Sequence, residues 1–421
     1  MKGWNIKRFG DMYSIPSRNG LMRPSAVRGK GYKMINMGEL FAYPRINNPP
    51  MELVELDEEE KNNFNIITGD LLFARQSLVA EGAGKCSIVI GFEEPTTFES
   101  HLIRVRLNKS DAVSLFYYYY FRSQTGFGSI QTLVNQVSAA GIRGSDLSRL
   151  KVLYPSLPIQ KKIVAILSAY DDLIENNNRR IAILEKIADE LYREWFVRLR
   201  FPGHEKIKII KGVPEGWEIK ELKDIAEESS KSTKPGAHLS DRYYLPIDLL
   251  NHRGFLPSGH LDFTEAQSSL LLFQKNDILF GAMRPYLHKV CLAPFNGITR
   301  TTCFVIKPID ERFYSWLYLL LFQNSTIEYA TLICNGADRP YVVWNKSFER
   351  MKILRPNAEI AHNFNQKIRP VLDYIQSHYF LLQNLKLCRD RLLSRLMGGK
   401  IDVENMDIQF PISMQEELVH A

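Results

Sequence analysis

Asn48-Pro49-Pro50-Met51 is the stretch of this chain that comes nearest to chemistry on a nucleobase. An Asn-Pro-Pro-aromatic loop can hold an amino group while its ring stacks on a base turned out of the helix. Here Met51 stands in place of the ring, and no glycine-rich loop after a strand precedes it to hold a methyl donor. A turn stiffened by two prolines is the simpler reading. Glu81-Gly82-Ala83-Gly84-Lys85-Cys86 has the flavour of a phosphate loop but lacks the GxxxxGK[ST] spacing. The acidic run Asp57-Glu58-Glu59-Glu60 reads as the solvated start of a helix. No His, Cys or carboxylate group has metal-ligand spacing, and no Ser/His/Asp grouping stands out. Cys86, Cys291, Cys303, Cys334 and Cys388 are scattered without CxxC pairs. They read as small buried hydrophobes in a reducing cytoplasm. The expectation is a binder that holds no metal and does no catalysis of its own.

The elements that would position a binding surface come in duplicate. Gly3-Trp4-Asn5-Ile6-Lys7 is echoed by Gly216-Trp217-Glu218-Ile219-Lys220. Gly69-Asp70-Leu71-Leu72-Phe73 returns as Asn276-Asp277-Ile278-Leu279-Phe280. Leu150-Lys151-Val152-Leu153-Tyr154-Pro155 returns as Met351-Lys352-Ile353-Leu354-Arg355-Pro356. A period of roughly 200 residues means two duplicated domains, not a solenoid of short units. The 421 residues allow two cores of ordinary size.

After each globular repeat comes a long amphipathic helix. In the first, apolar residues recur at Ile163, Ile166, Leu167, Tyr170, Leu173, Ile174, Ile181, Leu184, Ile187, Ala188, Leu191 and Trp195. This 3-4 spacing describes a coiled-coil seam, with Asn177 as its one polar position and a candidate for fixing register. The second runs through Phe364, Ile368, Val371, Leu372, Ile375, Tyr379, Leu382, Leu385, Leu392, Leu393 and Leu396, then stops at Gly398-Gly399. Pro370 predicts a kink or break near Arg369. About 33 residues make about 50 Å of helix, longer than one small domain can cover. Pairing the helices antiparallel buries both stripes at once and would hold the domains at opposite ends.

The globular repeats read as compact α+β domains with a curved sheet and long loops. Short strands are expected at residues 71–74, 87–92 and 101–107, and again at 277–280, 289–292 and 302–306. Each repeat also carries an aromatic-rich helix, Ser114 to Arg122 and Phe313 to Gln323. Its rings could stack on bases, but helical spacing against a sheet favours core packing.

Charge is mildly positive and sits in the repeats. Residues 1–157 carry 19 Lys and Arg against 15 Asp and Glu, and residues 204–356 carry 20 against 17. The helical segments are near neutral. This balance is compatible with nucleic-acid binding without establishing it. No apolar run approaches the roughly 18 residues that span a bilayer. The N-terminus lacks an apolar signal core, so neither membrane insertion nor secretion is expected.

The segment from Leu157-Pro158-Ile159-Gln160-Lys161-Lys162-Ile163 to Asp171-Asp172-Leu173-Ile174-Glu175-Asn176-Asn177, ending in Leu191-Tyr192-Arg193-Glu194-Trp195-Phe196, carries a family likeness. It resembles the central helical region of the specificity subunits of type I restriction-modification systems. Val213-Pro214-Glu215-Gly216-Trp217 resembles the start of that family's second target-recognition domain. Leu392-Leu393-Ser394-Arg395-Leu396-Met397-Gly398-Gly399-Lys400-Ile401 resembles the end of its second helix. At the start of that helix, Ala358 to Phe364 departs from the usual Gln-rich pattern. The resemblance covers essentially the whole chain. It implies an α+β fold of two target-recognition domains, 1–157 and 204–356, separated by helical spacers at 158–203 and 357–400 that form an antiparallel coiled coil. Residues 401–421 form a tail.

The resemblance also implies a function. Each domain would read half of a bipartite, asymmetric site in double-stranded DNA. The helices would dock two modification subunits, which methylate adenines with S-adenosylmethionine. Restriction subunits using ATP and Mg would translocate and cleave, in a bacterial or archaeal cytoplasm. A strut of about 50 Å could set two readers about one turn of DNA apart, roughly 34–36 Å.

Base readout needs forked donors or amides on loops, with Lys and Arg on phosphates for position. The candidates in the first domain are Arg75, Gln76 and Ser77 after a strand, and Ser138 and Arg143 on a second loop, with Lys30 and Tyr32 as phosphate contacts. In the second domain they are Arg284 and Tyr286 after the repeated strand, and Asn335, Arg339 and Tyr341 on the matching loop. Candidate partner-binding positions on the helices are Ile174, Asn177, Ile181, Leu184, Trp195, Ile375, Tyr379, Leu382 and Leu396. Two alternatives stay open: a stand-alone methyltransferase, against which the missing cofactor loop weighs, and a protein scaffold that uses its coiled-coil faces without reading DNA.

Overall fold

The computed structural model describes residues 4–92, 94–136, 140–411 and 414. Contacts divide the chain into two compact units, Met1–Asp172 with Lys386–Ala421, and Leu173–Leu385. The division cuts both long helices, so each unit takes one globular repeat together with part of each helix.

Each unit contains the same central sheet. In the first, strands Tyr13–Asn19, Leu102–Leu107, Leu71–Ala74 and Cys86–Val89 lie side by side in that order, with Arg45–Ile46 added parallel at the edge. In the second, Ala226–Glu228, Cys303–Pro308, Ile278–Gly281 and Val290–Leu292 repeat the order. The duplicated Asp explains the duplicated motif. Asp70 accepts the Ile67 N–H at 2.9 Å and pairs with Arg106 on the neighbouring strand at 2.7 Å. Asp277 accepts the Gln274 N–H at 2.7 Å and faces Lys307 at 3.4 Å. The residues before them, Gly69 and Asn276, both take a left-handed turn, which Gly and Asn tolerate.

Behind each sheet lies the aromatic helix, Ser114–Arg122 and Tyr314–Phe322, with nearly every ring buried. Its tyrosines are core residues, not a stacking platform. In the first unit the Gln160 side chain, on the long helix, accepts the Val113 N–H at this helix's start at 2.9 Å. In the second, Asn365 does the same for Ser315 at 3.2 Å. The repeats are also closed alike. Asn5–Arg8 pairs antiparallel with Lys151–Tyr154, and Glu218–Glu221 with Lys352–Arg355. Two of the sequence echoes are therefore partner strands of one another.

The long helices span Leu157–Tyr192, continued by a wider π turn at Arg193–Val197, and Ala358–Met397. The second runs through Pro370 unbroken, because Ile368, Leu372 and Ile375 on either side are fully buried and hold the turn in place. It ends as its glycines require. Lys400 N–H reaches Arg395 O at 2.8 Å and Gly399, left-handed, reaches Leu396 O at 3.1 Å, a Schellman cap. Within the first unit, the early turns of the first helix meet the last turns of the second, through Asp171 and Arg389. Within the second, Tyr192 and Trp195 meet Phe364. Asn177 does not bridge the two helices: its amide donates to Leu173 O on its own helix at 2.8 Å.

Some sequence expectations need correcting. The segment around Lys30 is a strand, Arg28–Ile35, not a loop. Val54 faces both Arg28 and Tyr32 across a bulge that Gly29 and Gly31 permit with positive φ. Ile187 is half-exposed rather than on the seam. Cys388 is exposed and Cys334 only partly covered, so only Cys86, Cys291 and Cys303 are buried hydrophobes. Asp57 does cap a helix, accepting the Glu60 N–H at 2.8 Å. Among the described residues no helix is long and apolar enough to cross a membrane, and no cluster of three or more potential metal ligands occurs.

One layer distinguishes the two units. In the first, buried Asp171 accepts from Tyr119 Oη at 2.7 Å and from Arg389 at 2.7 Å. Burial disfavours the Arg389 charge, but its carboxylate partners outweigh that and hold the guanidinium pKa above its ordinary value. By the repeat of the two structures, the corresponding positions in the second unit are Leu319, Leu372 and Ala188, an apolar set. Removing one member of a buried ion pair strands the other, so Asp171→Ala should cost about 3 kcal/mol in urea unfolding of the full chain. The triple variant Tyr119→Leu, Asp171→Leu, Arg389→Ala copies the second unit and should recover to within about 1.5 kcal/mol of wild type. A triple variant as unstable as the single one would contradict this account.

A second prediction concerns pH. Burial pushes the Glu185 carboxyl up to about 7, offset only in part by the Phe255 N–H it accepts at 2.8 Å. A folded pKa above the unfolded one gives stability that is present below the unfolded pKa and lost as pH rises through the folded value. Glu185→Gln should therefore gain on wild type between about pH 5 and 8 in parallel unfolding titrations. A difference that stays flat over that range would refute it.

Candidate nucleic-acid interface

The candidate loops are brought together by their backbones, in the same way in both domains. In the first, Gln76–Ser77 follows the central strand and pairs antiparallel with Ala140–Gly141, which pairs in turn with Asn135–Gln136. Ile142 N–H donates to Arg75 O at 2.9 Å. In the second, Met283 bridges Tyr341, and Tyr341 bridges Asn335. Arg284 N–H donates to Pro340 O at 2.7 Å, and Val342 N–H to Ala282 O at 2.9 Å. The registers correspond: Gly141 faces Asn135 and Gln76, as Tyr341 faces Asn335 and Met283. A hairpin thus lies edge-on against the segment leaving the central strand. Gly336, with φ +86, allows the sharp turn that brings Arg339 and Tyr341 back.

The side chains differ in how free they are. Arg143, Arg284 and Arg339 are exposed, and none has a side-chain hydrogen bond or ion pair among the described residues. Tyr286 and Tyr341 are about half exposed, and Asn335 is exposed. Arg75 is half-buried and donates to Ser100 O at 3.3 Å, so part of its fork is already committed to the fold. Gln76 is exposed, with Oε1 3.1 Å from His101 Nδ1. Ser77 Oγ accepts the Val79 N–H at 3.3 Å, a local turn bond. Ser138 lies outside the described residues.

Lys30 and Tyr32 belong to a separate three-stranded sheet. Lys30 is exposed but paired with Glu55 at 2.9 Å, and Lys61 sits over the Tyr32 ring at 4.9 Å. The loop after Arg284 is anchored by His288, whose left-handed backbone turns the chain inwards. Burial, reinforced by Arg253, pulls this imidazole down to about 4, so it stays neutral and adds no charge.

The helix positions singled out from the sequence are interior. Ile174, Asn177, Ile181, Trp195, Ile375, Tyr379, Leu382 and Leu396 are all buried within their units, and Leu184 packs against the same core. Tyr379 also hydrogen-bonds His260 Nδ1 at 2.7 Å. Apart from the half-buried Leu184, these side chains are spent on the chain's own interior. The exposed apolar residues on the first helix are Leu173, Ile183 and Ile187. Ile183, off the seam spacing, and Ile187, four residues on and expected on the seam, present a second face.

The chain matches the family model described as the type I restriction modification DNA specificity domain, over residues 1–186 and 214–387. It is 28% identical over 313 residues to the MjaIX specificity subunit of a type I restriction enzyme from Methanocaldococcus jannaschii, covering 71% of each chain. The putative MjaX specificity subunit of that organism is 25% identical over 422 residues, covering 95% of this chain and 94% of the other. The crystal structure of a type I restriction-modification S subunit from M. genitalium shares the fold, with a TM-score of 0.59, 16% identity, and coverage of 93% and 96%.

Since Arg143, Arg284 and Arg339 are exposed and unpaired, replacing each by Ala should change the chain's unfolding free energy by no more than about 0.5 kcal/mol. A loss above about 1.5 kcal/mol in denaturant titration would mean that the residue supports the fold instead.

Proposed function

The chain belongs to the type I restriction modification DNA specificity family, and from that membership we propose that it is the sequence-reading subunit of such a complex. Each target-recognition domain reads one half of a bipartite site in double-stranded DNA. Because the reading loops differ in sequence, Gln76-Ser77 against Met283-Arg284, the two half-sites differ and the site is asymmetric. Two modification subunits dock on the long helices, bring S-adenosylmethionine and methylate adenines. Restriction subunits, with ATP and Mg, cleave unmodified DNA. The chain itself carries no cofactor and no catalytic step, and it works in the cytoplasm of a bacterium or archaeon.

The observation that carries this reading is the matched pairing of two loops in both domains, with unpaired arginines exposed on them. Arginine is the side chain best shaped to grip guanine through two parallel hydrogen bonds, and it also neutralises phosphates. The fixed backbone pairing limits what is lost in ordering such loops on DNA.

The test is single-molecule methylome sequencing of cells that express this chain with its modification subunit, against cells with the modification subunit alone. A split adenine-methylation motif that needs this chain is expected. No motif from a verified, active complex would overturn the proposal and favour a scaffold that does not read DNA. In the same complex, Arg284→Ala and Arg339→Ala should each weaken cognate binding by about 1–3 kcal/mol and relax one position of one half-site. Unchanged motifs in both would remove these loops from the reading surface.

A further inference from the structure

Just beyond the paired segment, directly after Ser77 in the first domain and after the buried Pro285 in the second, the loop exposes two neighbouring large hydrophobic side chains. In the first domain Leu78 is fully exposed and Val79 is 60% exposed. In the second Tyr286 is 50% and Leu287 37% exposed. Both pairs lie in the connection between the two neighbouring central strands, Leu71–Ala74 to Cys86–Val89 and Ile278–Gly281 to Val290–Leu292. A short 3-10 turn shapes each connection, at Ala80–Gly82 and Pro285–Leu287. Single exposed apolar residues are common on protein surfaces and need no explanation. Two pairs at one topological position in domains whose loop sequences differ are another matter. Leaving a Leu side chain in water forgoes about 1.5–3 kcal/mol of burial, and nothing in the backbone course demands an apolar residue there.

From this we infer that Leu78-Val79 and Tyr286-Leu287 are specificity contacts that touch the base edges themselves, with thymine as the group they read. The inference rests on the proposed DNA-reading function. Phosphates and sugars offer an apolar tip little, and the thymine C5-methyl is the one apolar group on a base-pair edge in the major groove. The neighbours fit the same surface. Gln76 and Arg143 are exposed on the first loop pair, and Arg284 and Arg339 on the second, so each apolar pair shares its loops with exposed polar or cationic side chains. Polar and cationic groups then hold the flanking phosphates and purine edges, while the tip reaches the floor of the groove between them.

The experiment uses the full chain in complex with its modification subunit, on duplexes built from the motif found by methylome sequencing. Each thymine of the first half-site is replaced in turn by uracil, which lacks only the methyl group. One such replacement should weaken wild-type binding about fourfold, the worth of one buried methyl. The same replacement should have no effect on Leu78→Ala, whose affinity for the thymine duplex is already lowered. Tyr286→Ala and Leu287→Ala should behave likewise in the second half-site, at a different base. Equal uracil effects in wild type and Leu78→Ala would overturn the inference, as would half-sites without an A·T pair. Neither result touches the reading function, which fails only if wild-type complexes give no split motif.

Discussion

Each globular repeat is held shut where its chain enters and leaves, and the rest of its geometry follows from that closure. Four residue pairs join Asn5–Arg8 to Lys151–Tyr154, and four join Glu218–Glu221 to Lys352–Arg355. The ribbon is continued by Phe9 N–H on Leu150 O at 2.8 Å and Leu222 N–H on Met351 O at 2.9 Å. Closing a loop of well over a hundred residues is entropically little worse than closing one half as long, so a short ribbon can do it. The ribbon places the first turn of a long helix directly beneath the sheet. The amides of Gln160 and Asn365 then satisfy the open N–H groups of the aromatic helix, which would otherwise be buried unpaired. Domain and helix are thereby one body at that end.

The same duplication shows how little of a seam must be fixed. At one layer the first unit uses Tyr119, Asp171 and Arg389, while the matching positions in the second are Leu319, Leu372 and Ala188. Both fill the space, yet they are not equivalent physically. An apolar layer accepts any partner of similar size, whereas a buried carboxylate tolerates only a partner that returns its charge and hydrogen bonds. The polar layer therefore restricts which helix face can stand opposite, a role that Asn177 seemed suited to from the sequence. Asn177 is instead satisfied by Leu173 O on its own helix. The ring of Phe364 among Tyr192, Trp195 and Phe196 shows the other means, shape alone.

Much of this was legible in the residues, and the exceptions have physical causes. The helices, the duplicated strands and the aromatic core helices follow from periodicity, because burial on one face leaves a regular trace. Pro370 misled, since a proline breaks a helix only when the surrounding packing is too weak to hold the turn. The strand at Lys30 misled because glycines that usually mark loops here serve a bulge. The helix positions chosen for partners were the most apolar ones, and strong apolar periodicity marks the faces a chain buries within itself. Ile183 lies off the seam spacing, and Ile187, which fits that spacing, is exposed all the same. The meeting of the two reading loops was legible only as a parallel between the repeats. Its register depends on backbone bonds such as Ile142 N–H to Arg75 O, which side-chain types do not reveal.

The electrostatics bear on how such a surface would discriminate. Phosphate attraction is blind to sequence, and a strongly basic domain would bind every duplex nearly as well as its own site. The repeats carry only a small cationic excess, and many of their cations are tied up, as Lys30 is by Glu55 and Arg106 by Asp70. The unpaired arginines on the candidate loops are among the cations that each domain would offer to DNA. A single domain with so small a net positive charge would attract DNA only weakly by itself. Two such domains on one chain would raise affinity by effective concentration rather than by added charge. Binding would then be strong only where both half-sites are right, because a mismatch in either leaves the other domain to act alone.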